Sequence, residues 1–333
     1  MVSAPRQTQA EERVAIDVAA LQVGPADERA FVADLPLALR DAGGFDVTAW
    51  TSEPGGVRSL PGGAEPAGHR WRGTVARAAI AAGMTASAAW VAGDNGLIHL
   101  ASGPRPLRVG APGVITMHHA LPSTSGSRTS RREARVREAT RRSVDLGAVI
   151  HVVSRTIADE VVERMGVDRD RVVVAPPGIA ARADDREDSA GPMHVTVLRT
   201  RQQDRDAEID ARLGATGKVT TSVGEDADHH ARCLVIAAPL DGFSAAAVSA
   251  MAAGIPIVAV RSPDAVELLT GVATFVEPSE LDELIDIAVS LAGHDGARAI
   301  NVAAGLARAA DFTWERRVPA IISLYRLALA GAR

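Results

Sequence analysis

Residues 234–278 read LVIAAPLDGFSAAAVSAMAAGIPIVAVRSPDAVELLTGVATFVEP, and this stretch decides the fold. An apolar run at 234–237 leads into Asp241-Gly242-Phe243-Ser244, which has the composition of a tight turn. Small residues with helical spacing follow, then a Gly254-x-Pro256 stop and a second apolar run at 257–260. Strand, turn, helix and strand in that order make a βαβ unit, which places a helix N-terminus at the carboxyl edge of a parallel sheet. Backbone N–H groups and the helix macrodipole favour a phosphate or a sugar oxygen at such a position.

The same alternation continues on both sides. Upstream, strands are expected at 14–18, 46–50, 97–100, 113–117, 149–153 and 171–175, with helices at 28–40, 72–84, 130–145 and 155–165. The turn Pro176-Pro177-Gly178-Ile179 and the polar AARADDREDSAGP after it read as a junction. Beyond it, strands are expected at 194–198, 218–222, 233–237, 256–260 and 273–276, and helices at 204–213, 244–253, 279–292 and 296–310. An apolar-striped helix runs to Leu329. Strands alternating with helices imply α/β architecture with doubly wound parallel sheets, and 333 residues suffice for two such cores.

Charge and composition exclude several roles. The net charge of -5, without basic residues interleaved with aromatics, argues against nucleic-acid binding. Cys233 cannot form an intrachain disulfide and reads as a buried core residue. His229-His230 lack further ligands at metal-binding spacing and read as a solvated pair. No apolar run approaches a membrane span and MVSAPRQTQAEER has no signal core, so the expected location is the cytoplasm. The arginine-rich 128–142 stretch fits at most peripheral contact with an anionic membrane. Its interspersed Glu133 and Glu138 favour a charged helix face. Lys218 is the single lysine, so any other cationic role falls to arginine.

Asp241, Gly242, Phe243, Ser244, Ala250-Met251-Ala252, Gly254, Pro256 and the 257–260 run together resemble the donor-binding unit of family-4 retaining glycosyltransferases (group 1, GT-B fold). Upstream, VVSRTIADEVVERMGVDRDRVVVAPPGI resembles the same family, as does Asp311-Phe312-Thr313-Trp314-Glu315 near the end. The resemblance implies two facing Rossmann-like domains, an acceptor-side domain at 1–178 and a shortened nucleotide-sugar-binding domain at 179–312. The 313–333 helix would return to the first. It further implies transfer from a nucleotide-sugar, as donor substrate, to an acceptor hydroxyl with retention (hexosyltransferase type), with no cofactor and no metal.

By resemblance, Asp241 stands where a glutamate lies beside the donor sugar; as a residue before glycine it reads equally as a turn former. The 242–244 backbone would hold the donor, Ser244 doubling as helix N-cap. Ser249 occupies the position of a ribose-binding glutamate, and its alternative is helix packing. Arg199, Arg201 and Arg205 follow the 194–198 strand where the family places cations for the diphosphate. Only about 40 residues separate Arg199 from Asp241, so roughly one or two βα units are missing, and a solvated loop is the alternative. His118 matches the first residue of a His-Asp pair, with His119 replacing the aspartate. Glu267 matches the end of a Gly-Gly-x-Pro-Glu motif whose glycines are here Pro263 and Asp264. The first loop, Gly-rich in the family, reads Gly24-Pro25-Ala26-Asp27-Glu28-Arg29.

Two functions are thus expected. One is an active transferase in which Asp241 and His118 do the chemistry and Gly242, Phe243, Ser244, Ser249, Arg199, Arg205 and Glu267 hold the donor. The alternative is a catalytically inactive pseudo-glycosyltransferase, a partner or stabilising subunit in a hetero-oligomer with an active enzyme.

Overall fold

The structure, a computed structural model, describes residues 12–51, 65–66, 70–82, 84–93, 96–110, 112–119, 131–180, 193–225 and 230–331. Strands β1 (Glu12–Asp17), β2 (Phe45–Trp50), β3 (Glu65–Pro66), β4 (Ala86–Ser87), β5 (Leu97–Leu100), β6 (Leu107–Arg108), β7 (Gly113–Met117), β8 (Val149–Val152) and β9 (Val172–Val174) precede the junction. Strands β10 (His194–Leu198), β11 (Thr220–Gly224), β12 (Cys233–Ile236), β13 (Ile257–Val260) and β14 (Thr274–Val276) follow it. They form a seven-stranded sheet ordered β3-β2-β1-β5-β7-β8-β9 and a five-stranded sheet ordered β11-β10-β12-β13-β14, with β4 and β6 paired apart. Neighbouring strands run parallel, for example Val14 beside Val47 and Leu234 beside Ile257. The side chains of the central strands β5, β7, β8, β12 and β13 are buried on both faces, which explains their near-continuous apolar runs.

Strand order reverses between β1 and β5 in one sheet and between β10 and β12 in the other, and ligand crevices open at the carboxyl ends of such strands. The expected 218–222 strand begins later, at Thr220. Residues 216–219 are taken up by the turn leaving helix Gln203–Ala215, where the Thr216 hydroxyl donates to the Leu213 carbonyl and accepts the Lys218 N–H. A helix not expected at all, Pro263–Leu269, forms where the family glycines are replaced. Ser262 caps it by accepting the Ala265 N–H, and proline sits in its first turn.

An apolar cluster runs unbroken between the sheets, from Met117, Ile150 and Ile157 to Phe243, Met251 and Phe312. The final helix, Trp314–Ala330, packs on helix Ala26–Ala42 and on β5, β7 and β8. Its register is set by a chain of buried hydrogen bonds. His151 Nε2 donates to the Ala175 carbonyl (2.7 Å), so its Nδ1 accepts from the Thr116 hydroxyl (2.9 Å). Thr116 in turn accepts from His99 Nε2 (2.7 Å), and His99 Nδ1 accepts from the Tyr325 hydroxyl (2.7 Å). Burial holds both imidazoles neutral, His151 being lowered to about 4. Among the described residues no helix is long and apolar enough to cross a membrane.

Candidate functional site

Both strand-order reversals face one cleft of about 490 Å³. The first domain lines it with Pro25, Ala26, Asp27, Glu28, His118 and His119. The second contributes the 198–203 loop after β10, Glu225, and the 239–244 turn after β12. The Asp241–Ser244 turn is forced against the first domain. Gly242 has φ +96°, and a Cβ there would lie 2.2 Å from the His118 carbonyl oxygen, so the turn requires glycine twice over. Phe243 anchors it from below, its ring 5.7 Å from that of Phe312. Ser244 caps helix Ala245–Ala252 by accepting the Ala247 N–H.

The expected cations divide. Arg199 and Arg201 line the cleft, and Arg201 pairs with Asp241 at 2.9 Å. Their loop is fastened by buried Asp206, which accepts the Thr200 N–H (2.6 Å) and hydroxyl. Because β10 lies beside β12 at the reversal, the loop faces the cleft despite the shortened spacing. Arg205 turns away and donates to the Pro278 carbonyl.

His118 lines the cleft with Nε2 donating to the Ala101 carbonyl (2.7 Å), which leaves Nδ1 as its acceptor; burial lowers its pKa to about 4. Burial likewise lowers His119 to about 4, with Arg201 adding to the shift. Burial raises Glu28 to about 7, against the opposing pull of Arg105 and Arg201. The 3.6 Å contact between His119 and Glu28 therefore joins a neutral imidazole to a half-protonated carboxyl near neutral pH, and it is not a full ion pair.

Two expected donor contacts lie elsewhere. Ser249 is half-buried on helix Ala245–Ala252 and lies outside the cleft lining, because that helix directs its N-terminus, not its flank, at the cleft. Glu267 sits across the Gly242-Phe243 turn, in a second cavity of about 460 Å³. Its carboxylate is spent on the first domain: it accepts the Arg155 N–H (2.9 Å) and Thr156 N–H (3.2 Å) at the start of helix Arg155–Met165. Beside it, Ser154 donates to buried Asp264 (2.8 Å), which also accepts the Gly242 N–H; burial nevertheless raises the Asp264 pKa.

The 24–29 segment, which opens helix Ala26–Ala42, bears contacts that sequence reading did not assign. Asp27 accepts the Ala245 N–H at 2.6 Å, and Arg29 pairs with Glu225 at 2.6 Å, both across the cleft. The signal for them was present as bulky charged residues where the family has glycine. Their partners, about 200 residues away, were not signalled. His230 is exposed and His229 lies outside the described residues, as do Arg128, Thr129 and Ser130 of the basic stretch. Of the rest of that stretch, Glu138 pairs with Arg141 and Arg142 along helix Arg131–Asp145. Among the described residues no group of three or more His, Cys, Asp or Glu is placed to hold a metal ion.

Residues 30–182 match the family described as Glycosyltransferase Family 4. The match takes in most of the first domain and somewhat less than half of the chain. Solved structures extend the likeness to the whole fold. A glycosyltransferase from Rickettsia africae is 14% identical with TM-score 0.60, the alignment covering 96% of this chain and 99% of that one. Sucrose-phosphate synthase from Thermosynechococcus elongatus is 18% identical with TM-score 0.63 over the same shares. HepE of Anabaena, solved with UDP-glucose, is 15% identical with TM-score 0.58 over 94% of this chain and 99% of that one. No curated protein matches the sequence. The chain has the GT-B fold and resembles the family-4 glycosyltransferases.

Proposed function

We propose that the chain is a glycosyltransferase that moves a sugar from a nucleotide-sugar to an acceptor hydroxyl with retention of configuration. The observation that carries this reading is the meeting, in one interdomain cleft, of the Asp241–Ser244 turn, Arg199, Arg201 and His118. Asp241 accepts hydrogen bonds from the donor sugar's hydroxyls once Arg201 turns to phosphate. Arg199 and Arg201 screen the departing diphosphate, a role open to guanidinium groups set at a helix N-terminus. Neutral His118, with Nδ1 as acceptor, orients a sugar or acceptor hydroxyl. Arg201 takes the part first expected of Arg205, while Ser249 and Glu267 lie outside the cleft and take none. The UDP-glucose in HepE supports the donor class.

A second reading, a catalytically silent partner subunit of an active transferase, is favoured by one observation: the 24–29 segment sets the charged side chains of Asp27 and Glu28 against its side of the cleft. Saturation-transfer NMR against UDP-, GDP- and ADP-sugars separates the two. At least one donor should bind, and Asp241→Ala should lower turnover with it by roughly 3 kcal/mol of transition-state stabilisation while the fold persists. Silence across the panel would support the partner role, and unchanged turnover in Asp241→Ala would remove that residue from the chemistry.

A further inference from the structure

The Asp27 carboxylate stands between two helix N-termini. It lies in the first turn of its own helix, Ala26–Ala42, and accepts the Ala245 N–H at the start of Ala245–Ala252 in the other domain. Both ends carry partial positive charge, and Arg199 and Arg201 line the same cleft. An anion is therefore already held where the donor site assigned above would place its diphosphate. Next to it, Arg29 joins Glu225 and keeps the 24–29 segment drawn across to the second domain.

Building on that donor site, we propose that Asp27 determines what the cleft admits: its carboxylate occupies the diphosphate position and repels a second anion, so a nucleotide-sugar binds only by displacing it. Two anions cannot share one N–H donor, and their repulsion is strong in a partly dehydrated cleft. The native chain consequently binds diphosphates weakly, its affinity reduced by the fraction of molecules in which Asp27 has withdrawn. Removing the charge leaves both helix ends in need of an anion, with Arg199 beside them and Arg201 able to turn from Asp241, and an external one fills the place.

Calorimetry with inorganic pyrophosphate, and separately with UDP, on the native chain, Asp27→Asn and Asp27→Ala tests this. Asparagine keeps an oxygen for the Ala245 N–H, so this variant guards against loss of the fold in Asp27→Ala, with circular dichroism as the check. Both variants should bind pyrophosphate roughly ten-fold tighter than the native chain. The Ala245 amide resonance should move on titration at lower pyrophosphate concentration in the variants. A merely structural Asp27 would lower the melting temperature of the variants without raising anion affinity, and that result overturns the proposal. Equal affinity in all three proteins, or binding in none, overturns it as well. Should the variants gain pyrophosphate binding yet bind no nucleotide-sugar, Asp27 keeps its role and the donor reading falls.

Discussion

On both sides of the Gly242-Phe243 turn, a carboxylate from one domain meets the start of a helix in the other. At the inner side Glu267 holds the Arg155 and Thr156 N–H groups, Ser154 and the Gly242 N–H hold buried Asp264, and the Phe243–Phe312 pair lies beneath. At the cleft side Asp27 accepts the Ala245 N–H, while the ion pairs Arg29–Glu225 and Arg201–Asp241 stand about half exposed. Exposed pairs contribute on the order of 0–1 kcal/mol each, whereas a hydrogen bond to a carboxylate contributes about 1.5–3, and the inner side gathers several of these, with the Ser154–Asp264 bond buried. The inner side is therefore the fixed joint, and the cleft side is the one a ligand can open. Helix Trp314–Ala330 reinforces the joint, since Ile179 bonds the Phe312 carbonyl at 2.8 Å and Trp314 Nε1 donates to Asp34.

The largest break in that contrast comes at the boundary between the two sides. Gly242→Ala places a Cβ 2.2 Å from the His118 oxygen and 3.1 Å from Ile157 Cδ1, at a positive φ. Backbone cannot yield as a side-chain tip can, so both sides must part together. Urea unfolding should show a loss of about 3–5 kcal/mol, from strain and overpacking combined. A loss under about 1 kcal/mol would mean that turn and His118 are not in contact.

Acid should destabilise the fold through its buried histidines. His151 is lowered to about 4 by burial, below the ordinary imidazole value of 6.5. A histidine held neutral contributes stability that is fully present above pH 6.5 and lost as pH falls from there toward 4, because the unfolded chain takes up the proton sooner. That single group accounts for about 3 kcal/mol, and buried His99, also held neutral, adds in the same direction. Stability measured by urea unfolding from pH 7 down to 4.5 should fall, and His151→Gln should flatten the fall. A pH-independent stability over that range would contradict the neutral relay.

Local chemistry explains what could be read in advance. The apolar runs of β12 and β13, the Asp241–Ser244 turn and the Ser244 cap each depend on neighbours a few residues away, and all form at the expected places. The Pro263–Leu269 helix is equally local, signalled by Ser262 as N-cap and the proline after it, a signal that the resemblance to a glycine motif at the same place masks. Glu267 and Asp27 were illegible for a different reason. Their roles depend on which helix end the other domain presents, through contacts spanning 112 and 218 positions, and no periodicity encodes that. Arg199 and Arg205 show the limit at close range: six residues apart, one lines the cleft from a loop and the other, on helix Gln203–Ala215, bonds Pro278.

The smallest effects sharpen the contrast most, because they compare the two sides with like substitutions. Glu267→Ala strips the carboxylate from two N–H groups at the start of Arg155–Met165, one of them half-buried, and water can replace it only in part. A loss of roughly 1–3 kcal/mol is expected. Arg29→Ala removes a pair whose side chains are 41% and 53% exposed, along with a bond to the Gly24 carbonyl that water can take over. Its cost should stay below about 1 kcal/mol and shrink further in 0.5 M salt, where the Debye length is only about 4–5 Å. The salt series is the decisive measurement, since Glu267→Ala should keep its deficit across it. If Arg29→Ala proves as costly as Glu267→Ala and insensitive to salt, the cleft side is a second fixed joint, and a ligand would have to enter without parting the domains there.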